Sequence, residues 1–395
     1  MNIDEIISRN VETVIEKKHI QSRLLSGDRL TIKFGVDPTK PDLHLGHTVA
    51  LLKLRQFAQM GHRIIFLIGD FTARIGDPSE RDITRPILTK EEINENTKTY
   101  LNQVSKVLDI KRIEIVKNSQ WYEKMNLSDF LGLMSHFTVA QILEREDFTK
   151  RIKVHRDIAM QEITYPMLQA YDSIMLKPDI EIGGRDQLFN MMAGRDLMKK
   201  MGQKPQDIIT LNLLIGTDGK RKMSKSLNNY IAITESASEQ FGKIMSIPDS
   251  LIINYFEMAT LVPESEIKKI KLSLKKKGTN PKEIKIRLAK EIITMYHGAD
   301  MASKAASEFE QVFSKGGLPE NISEIELDLP SISVLDLVVR SKQVKSRGEA
   351  RRLIEQKAVE FEDMTISDPF TIVGIHDGAI LKIGKRRFVR LRITK

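Results

Sequence analysis

Residues 30–36, LTIKFGV, read as a short buried strand, and that reading decides the fold. The run is apolar, and turn formers follow it directly (Asp37-Pro38-Thr39). This is the pattern of a strand covered on both faces. A second such run, RIIFLIG, spans 63–69. Between the two, residues 46–60 carry helical periodicity, and Gly61 is placed to cap the end. A helix at about 90–107 leads to a third run, RIEIV at 112–116. This rhythm predicts an α/β fold with a right-handed, doubly wound, Rossmann-like parallel sheet. Such sheets bind ligands beyond the carboxyl ends of their strands.

Working outward, residues 120–175 are mostly helical. Returning strands follow at 179–183 and 208–214, around a helix at 186–201. A catalytic domain over 1–230 is expected, with a helical insertion at about 120–200. From 235 to 313 the pattern is helical only, broken at Pro248, Pro263, Pro281 and Gly298, which predicts an all-helical domain over 231–315. Residues 316–330 read as a linker rich in Gly, Pro and acid. Residues 331–395 read as a small α+β module. Its helices are expected at 333–339 and 347–356, and its short strands around Gly374, Gly378 and Gly384.

The chain has 395 residues, 41% of them hydrophobic and 29% charged, which suits two or three soluble domains. It has no cysteine, so disulfides, zinc–thiolate sites and cysteine nucleophiles are excluded, and a cytoplasmic location is expected. Met1-Asn2-Ile3-Asp4-Glu5 does not read as a signal peptide, and the apolar runs are too short to span a bilayer. The net charge of +9 is unevenly spread. Residues 331–395 carry 14 Lys or Arg against 8 Asp or Glu, and residues 261–290 carry 10 against 3. A basic end on a slightly acidic body suggests a polyanionic partner; solubilising surface charge is the alternative.

Two short motifs carry the chemistry. His44-Leu45-Gly46-His47 opens the helix after the first strand, with histidines at i and i+3 on one face. Gly46 leaves room for a flat base near the backbone, and a helix N-terminus favours phosphate. A zinc site is a rival reading, although no third ligand stands nearby, and a purely structural role is another. Lys222-Met223-Ser224-Lys225-Ser226 follows a polar loop, Gly216 to Arg221. Alone it reads as a solvated turn. Paired with the histidines it reads as half of an ATP clamp. Nucleotidyl transfer needs in-line positioning and cations for developing charge, and Lys222 and Lys225 can reach a leaving pyrophosphate. A loop closing over ATP also keeps water from a mixed anhydride.

Together the two motifs resemble the signature pair of the class I aminoacyl-tRNA synthetases. The intervening sequence is similar to the bacterial-type tyrosyl family over essentially the full length. Three segments carry that likeness: Phe34 to Asp42 running into the histidines, Gly69 to Ser79, and Tyr165 to Asp172 followed by Gly183 to Gln187. Residues 331–395 resemble an S4-type RNA-binding domain. The resemblance implies that L-tyrosine is activated by ATP with Mg²⁺ and passed to tRNA(Tyr). It implies no tightly bound cofactor, no metal site in the protein and no membrane, and a homodimer formed through the 120–200 insertion. Phe130-Leu131-Gly132-Leu133-Met134 is the apolar segment there, and it reads equally as core.

The same resemblance assigns roles by residue. His44, His47, Lys222, Lys225 and Thr39 are the catalytic set, Thr39 and His44 facing the γ-phosphate. Asp37, Gly46, Asp186 and Ser226 complete the ATP side with His44, His47 and Lys225, Asp186 contacting the ribose. Tyr165, Gln169 and Asp172 share one face of the helix at 161–175 at i, i+4 and i+7. Asp172 accepts the substrate phenol, and Tyr165, Gln169, Asp77 and Gln187 surround the ammonium group, with Thr72 beside them. Arg81 and Arg85 are assigned to pyrophosphate. Arg347, Arg351, Arg352 and Lys385-Arg386-Arg387 are candidates for tRNA.

Lys33 is a departure, because many bacterial tyrosyl enzymes have a tyrosine there that helps bind the phenol. Whether Lys33 reaches the pocket or pairs with Asp172 stays open at this level. The rivals are a tryptophanyl enzyme, a small nucleotidyltransferase joining a carboxylate to an amine, and a non-catalytic RNA-binding protein. Gln169, Tyr171 and the S4-like tail favour tyrosine.

Overall fold

Six strands form the main sheet of the computed structural model, which describes residues 3–39, 42–78, 88–276, 278–314, 322–384 and 387–393, excepting the side chains of 312–314. They are β1 (Val11–Ile15), β2 (Thr31–Val36), β3 (Arg63–Ile68), β4 (Glu114–Lys117), β5 (Ile180–Gly184) and β6 (Asp207–Leu211). Their spatial order is β1-β6-β5-β2-β3-β4. All neighbours are parallel except β1, which runs antiparallel to β6. The chain leaves β2 towards β3 and β4, then returns to the other side of β2 with β5 and β6. That reversal between β2 and β5 opens a crevice at the strand carboxyl ends. Ile64 to Ile68 are buried without interruption, as an interior parallel strand requires.

Most expected elements lie within two residues of their sequence bounds. The strand expected at 208–214 is shorter, because residues 212–214 leave the sheet and line the crevice. β1 was not anticipated. It has the burial of a half-exposed edge strand, with polar residues between its apolar ones, and so lacks the apolar run that marks the interior strands.

The chain divides into two compact units, 1–302 and 303–395, the division falling within the helix Ala299–Ser314. This differs from the separate helical domain expected over 231–315. The helices up to residue 302 pack on the sheet unit. Tyr296 Oη donates to Thr48 Oγ1 at 3.0 Å, on the histidine-motif helix Leu45–Gln59. Arg9 donates to the carbonyls of Phe256, Thr260 and Val262 at the end of the helix Ile252–Ala259. These helices also pack on one another, Ala237–Met245 against Pro281–His297, but within one compact unit with the sheet.

In the second unit, β7 (Ser323–Leu327) lies inside the stretch read as linker. It pairs in parallel with the last strand, so the second sheet begins before residue 331. The others are β8 (Ser331–Ser333), β9 (Val359–Phe361), β10 (Met364–Ile366), β11 (Ile372–Gly374), β12 (Ile380–Ile383) and β13 (Arg387–Ile393). Five form a sheet in the order β10-β9-β12-β13-β7, while β8 pairs with β11. Helices Val334–Arg340 and Arg347–Glu355 complete a core built on Val334, Leu337, Val338, Ile354, Leu381 and Val389. Among the described residues no helix is long and apolar enough to cross a membrane.

Candidate active site

The crevice at the switch between β2 and β5 is a single cleft of about 730 Å³. Every described residue that the sequence assigns to catalysis, ATP or tyrosine lines it, from Asp172 at one end to Lys225 and Ser226 at the other. Arg81 and Arg85, assigned to pyrophosphate, lie outside the described residues, as do Lys385 and Arg386 of the tRNA candidates.

His44 caps the helix Leu45–Gln59. Its Nδ1 accepts from Gly46 N at 3.2 Å, and His47 Nδ1 accepts from His44 N at 3.2 Å. The rings stack at 3.8 Å and 30°. Both Nδ1 atoms are therefore engaged with backbone, and among the described residues no group of three His, Asp or Glu is disposed to hold a metal ion. Burial, then His47 and Lys225, push His44 down to about 2, so it is neutral. His47 is lowered too, by desolvation in the cleft and the Lys225 charge. Neutral imidazoles can donate a hydrogen bond to phosphate from their free edge. Gly46 has a local cause: a Cβ there would sit 3.0 Å from the His44 ring and 3.6 Å from Met223 Cβ. The space read as room for a base is shared with that ring.

The segment that follows the lysine loop is tied to the histidine motif by backbone. Leu45 N donates to Ile231 O at 3.0 Å, and Ile233 N to Leu43 O at 3.1 Å. Asn229, almost fully buried, anchors the loop itself. Its Oδ1 accepts from Ser224 N at 2.8 Å, and its Nδ2 donates to Lys222 O and Asp218 Oδ2, each at 3.0 Å. Lys225 pairs with Asp42, just before the histidines. Desolvation lowers the Lys222 pKa, opposed by the charge of Asp77. The loop thus presents two cations beside a phosphate-favouring helix end.

The other end of the cleft is built around two carboxylates. Asp172 is buried and accepts from Tyr122 Oη at 2.8 Å, Trp121 Nε1 at 3.0 Å and Asn118 Nδ2 at 3.4 Å. Burial pushes its pKa up to about 6, opposed by the Lys33 charge and these donors. Lys33 does reach the cleft, but it pairs with Glu181 Oε1 at 2.9 Å and donates to Ser173 Oγ at 2.8 Å. Its influence on Asp172 is through space.

Asp37 accepts from Thr72 Oγ1 at 2.8 Å and Tyr165 Oη at 2.9 Å, and burial raises it to about 7. The geometry thus joins Asp37, assigned to the ATP side, to two residues assigned to the amino-acid side. Gly69 permits this approach, since a Cβ there would fall 2.1 Å from Asp37 Oδ1. Gln187 Nε2 donates to Asp77 Oδ2 at 2.5 Å. Burial raises Asp186, with Asp77 adding to the effect.

A profile described as class I tRNA synthetases (W and Y) matches residues 25–314. A tyrosine–tRNA ligase of Dehalococcoides mccartyi is 47% identical over 98% of this chain and 97% of its own length. One of Thermotoga maritima is 44% identical over 98% and 96%. The chain belongs to the class I tRNA synthetases, in their bacterial tyrosyl branch.

Membership makes it an aminoacyl-tRNA ligase and implies ATP as a substrate. The expected family is borne out against the tryptophanyl rival. The solved tyrosyl-tRNA synthetase of Archaeoglobus fulgidus with L-tyrosine aligns at a TM-score of 0.62 and 22% identity, covering 76% of this chain and 98% of that one. A Plasmodium falciparum tryptophanyl-tRNA synthetase aligns at 0.58 and 15%, covering 75% and 82%. At these identities the alignments speak for the fold alone.

Sequence reasoning missed Asn118, Trp121 and Tyr122, the three donors to Asp172. A signal was present: they directly follow β4 at its carboxyl end, where such sheets bind ligands. Glu181 and Asn229 were also missed, and they carried no local signal.

Proposed function

We propose that the cleft activates L-tyrosine with ATP, giving tyrosyl-adenylate and pyrophosphate, and then transfers the tyrosyl group to the terminal adenosine of tRNA(Tyr). The observation that carries this reading is the polarity of one continuous cleft. A buried carboxylate with aromatic neighbours closes one end, and two lysines beside a histidine-capped helix close the other.

The tyrosine phenol donates to Asp172 between Trp121 and Tyr122. The ammonium group lies among Tyr165, Gln169, Asp77 and Gln187, and Asp37 is held by Thr72 and Tyr165 beside it. The substrate carboxylate then faces the α-phosphate, and attack is in line with departure of pyrophosphate. Lys222 and Lys225 stabilise the leaving charge, Lys225 exchanging Asp42 for phosphate. His44, His47 and Thr39 donate to phosphate oxygens, and Asp186 accepts from the ribose. Mg²⁺ accompanies ATP as part of the substrate. No protein nucleophile is needed.

The chain acts as a cytoplasmic homodimer in this reading. Leu127, Leu131, Val139 and Met160, all exposed on the 120–200 insertion, support that contact. The basic stretches grip tRNA. Pyrophosphate exchange across the twenty amino acids tests the core of the proposal. Exchange with tyrosine alone is expected; exchange with tryptophan in its place, or with none, would overturn it.

A further inference from the structure

Behind the ammonium end of the cleft runs a chain of buried and half-buried side chains that neither motif accounts for. Arg145 stands at the start of the helix Glu146–Lys153 and is 3% exposed; Asn190, on the helix Leu188–Lys200, is 1% exposed. Arg145 Nη1 donates to Asn190 Oδ1 at 3.1 Å. Asn190 Nδ2 donates to Gln169 Oε1 at 3.0 Å and to Gln187 Oε1 at 3.1 Å. Gln169 Nε2 donates to Glu181 Oε1 at 3.3 Å, and Gln187 Nε2 to Asp77 Oδ2 at 2.5 Å.

The direction of this chain is set from both ends. A guanidinium only donates and a carboxylate only accepts. Three amides lie between them, and only one orientation of each satisfies every link. Flipping any amide sets two donors or two acceptors against each other in a buried site, where mismatched polar groups are costly. Arg145 also pairs with Asp77 at 3.6 Å and Asp147 at 2.9 Å, with its guanidinium 5.1 Å from the Phe148 ring centre. One cation therefore steadies both the amide chain and the carboxylate at its end.

We propose that Arg145 and Asn190 are positioning residues for amino-acid recognition: they fix which atoms of Gln169 and Gln187 face the substrate ammonium group. This rests on the cleft being a tyrosine site. Neither residue lines the cleft, so they act through the glutamines. Without the relay only the carboxylates of Glu181 and Asp77 hold the two amides in this sense, and an amide that turns over sets its NH₂ where the oxygen stood and repels the cation.

Asn190→Asp tests this with almost no change of shape. The new carboxylate still accepts from Arg145 but donates to neither glutamine. In tyrosine-dependent pyrophosphate exchange the KM for tyrosine should rise roughly ten- to a hundredfold, the scale of a buried polar group left unpaired. The KM for ATP should stay within about twofold. Inhibition by 3-(4-hydroxyphenyl)propionate, which lacks the ammonium group, should be equally unaffected. An unchanged tyrosine KM, or an inhibitor weakened as much as tyrosine, overturns the proposal. Arg145→Lys keeps the charge and removes the fork, so it should raise the tyrosine KM in the same selective way; it decides the matter if Asn190→Asp fails to fold. Lack of tyrosine exchange by the unaltered chain would instead refute the function, and the relay with it.

Discussion

Asp172 holds a charge where burial opposes one, and the consequence is a pH-dependent pocket. Its pKa is raised to about 6, and that of Asp37 to about 7. As pH falls through these values Asp172 takes up a proton and gives up the acceptor for the phenol, and Asp37 loses its charge beside the ammonium group. The kcat/KM for tyrosine should therefore fall on acidification from about 7 to below 6. In Asp172→Asn the lower part of that decline should vanish. Selectivity against phenylalanine should weaken by about 1–3 kcal/mol, the scale of one buried hydrogen bond, because a neutral amide accepts the phenol less strongly than a carboxylate while its oxygen still accepts from Trp121 and Tyr122. Stability moves the other way. Between 3.8 and about 6 the folded chain binds a proton at Asp172 that the unfolded chain does not, so acidification over that window favours the fold. Trp121, the only tryptophan of the chain, bonds to Asp172 and offers a fluorescence readout of tyrosine binding. A flat kcat/KM profile from pH 5 to 8, or unaltered selectivity in the variant, would move the phenol contact elsewhere.

At the scale of elements, the lysine loop is a strap held by Asn229. Removing that side chain in Asn229→Ala leaves Ser224 N and Lys222 O without their partner, so the two lysines lose their fixed spacing. The rate of tyrosine exchange should drop by about ten- to a hundredfold, with tyrosine affinity by Trp121 fluorescence unchanged; an equal fall in both would mean the pocket itself depends on the strap. The elements themselves were legible wherever burial imposes a period. β2, β3 and the helix between them are continuous runs on a parallel sheet. The face bearing Tyr165, Gln169 and Asp172 follows from helical spacing. β1 and β7 escaped notice because edge strands bury little and alternate with polar residues. The partners escaped for another reason. Glu181 is 148 positions from Lys33, and Asn190 is 45 positions from Arg145. Such pairings are set by the crossing of distant elements, which no local pattern records.

The molecule as a whole carries its charge unevenly, and that asymmetry is a statement about a partner. The cleft needs no surplus of positive surface to bind tyrosine, yet residues 261–290 and 331–395 hold most of it. On the helix Arg347–Glu355, Arg347 pairs with Asp336 at 2.5 Å and Arg351 with Glu355 at 2.8 Å, all partly exposed, so these ion pairs contribute little to stability. Arginines arranged so are free to exchange a carboxylate for phosphate. Replacing Arg351 and Arg352 together by alanine in the full chain should leave tyrosine-dependent exchange unaltered, because exchange needs no RNA. The KM for tRNA in aminoacylation should rise, and the slope of its logarithm against log salt should shrink by about one for each phosphate that the variant no longer neutralises. If slope and KM both stay put, Arg351 and Arg352 take no part in binding the polyanion, and the surface lies on the other basic residues of 261–290 or 331–395. If exchange falls along with tRNA use, the arginines support the fold rather than the RNA.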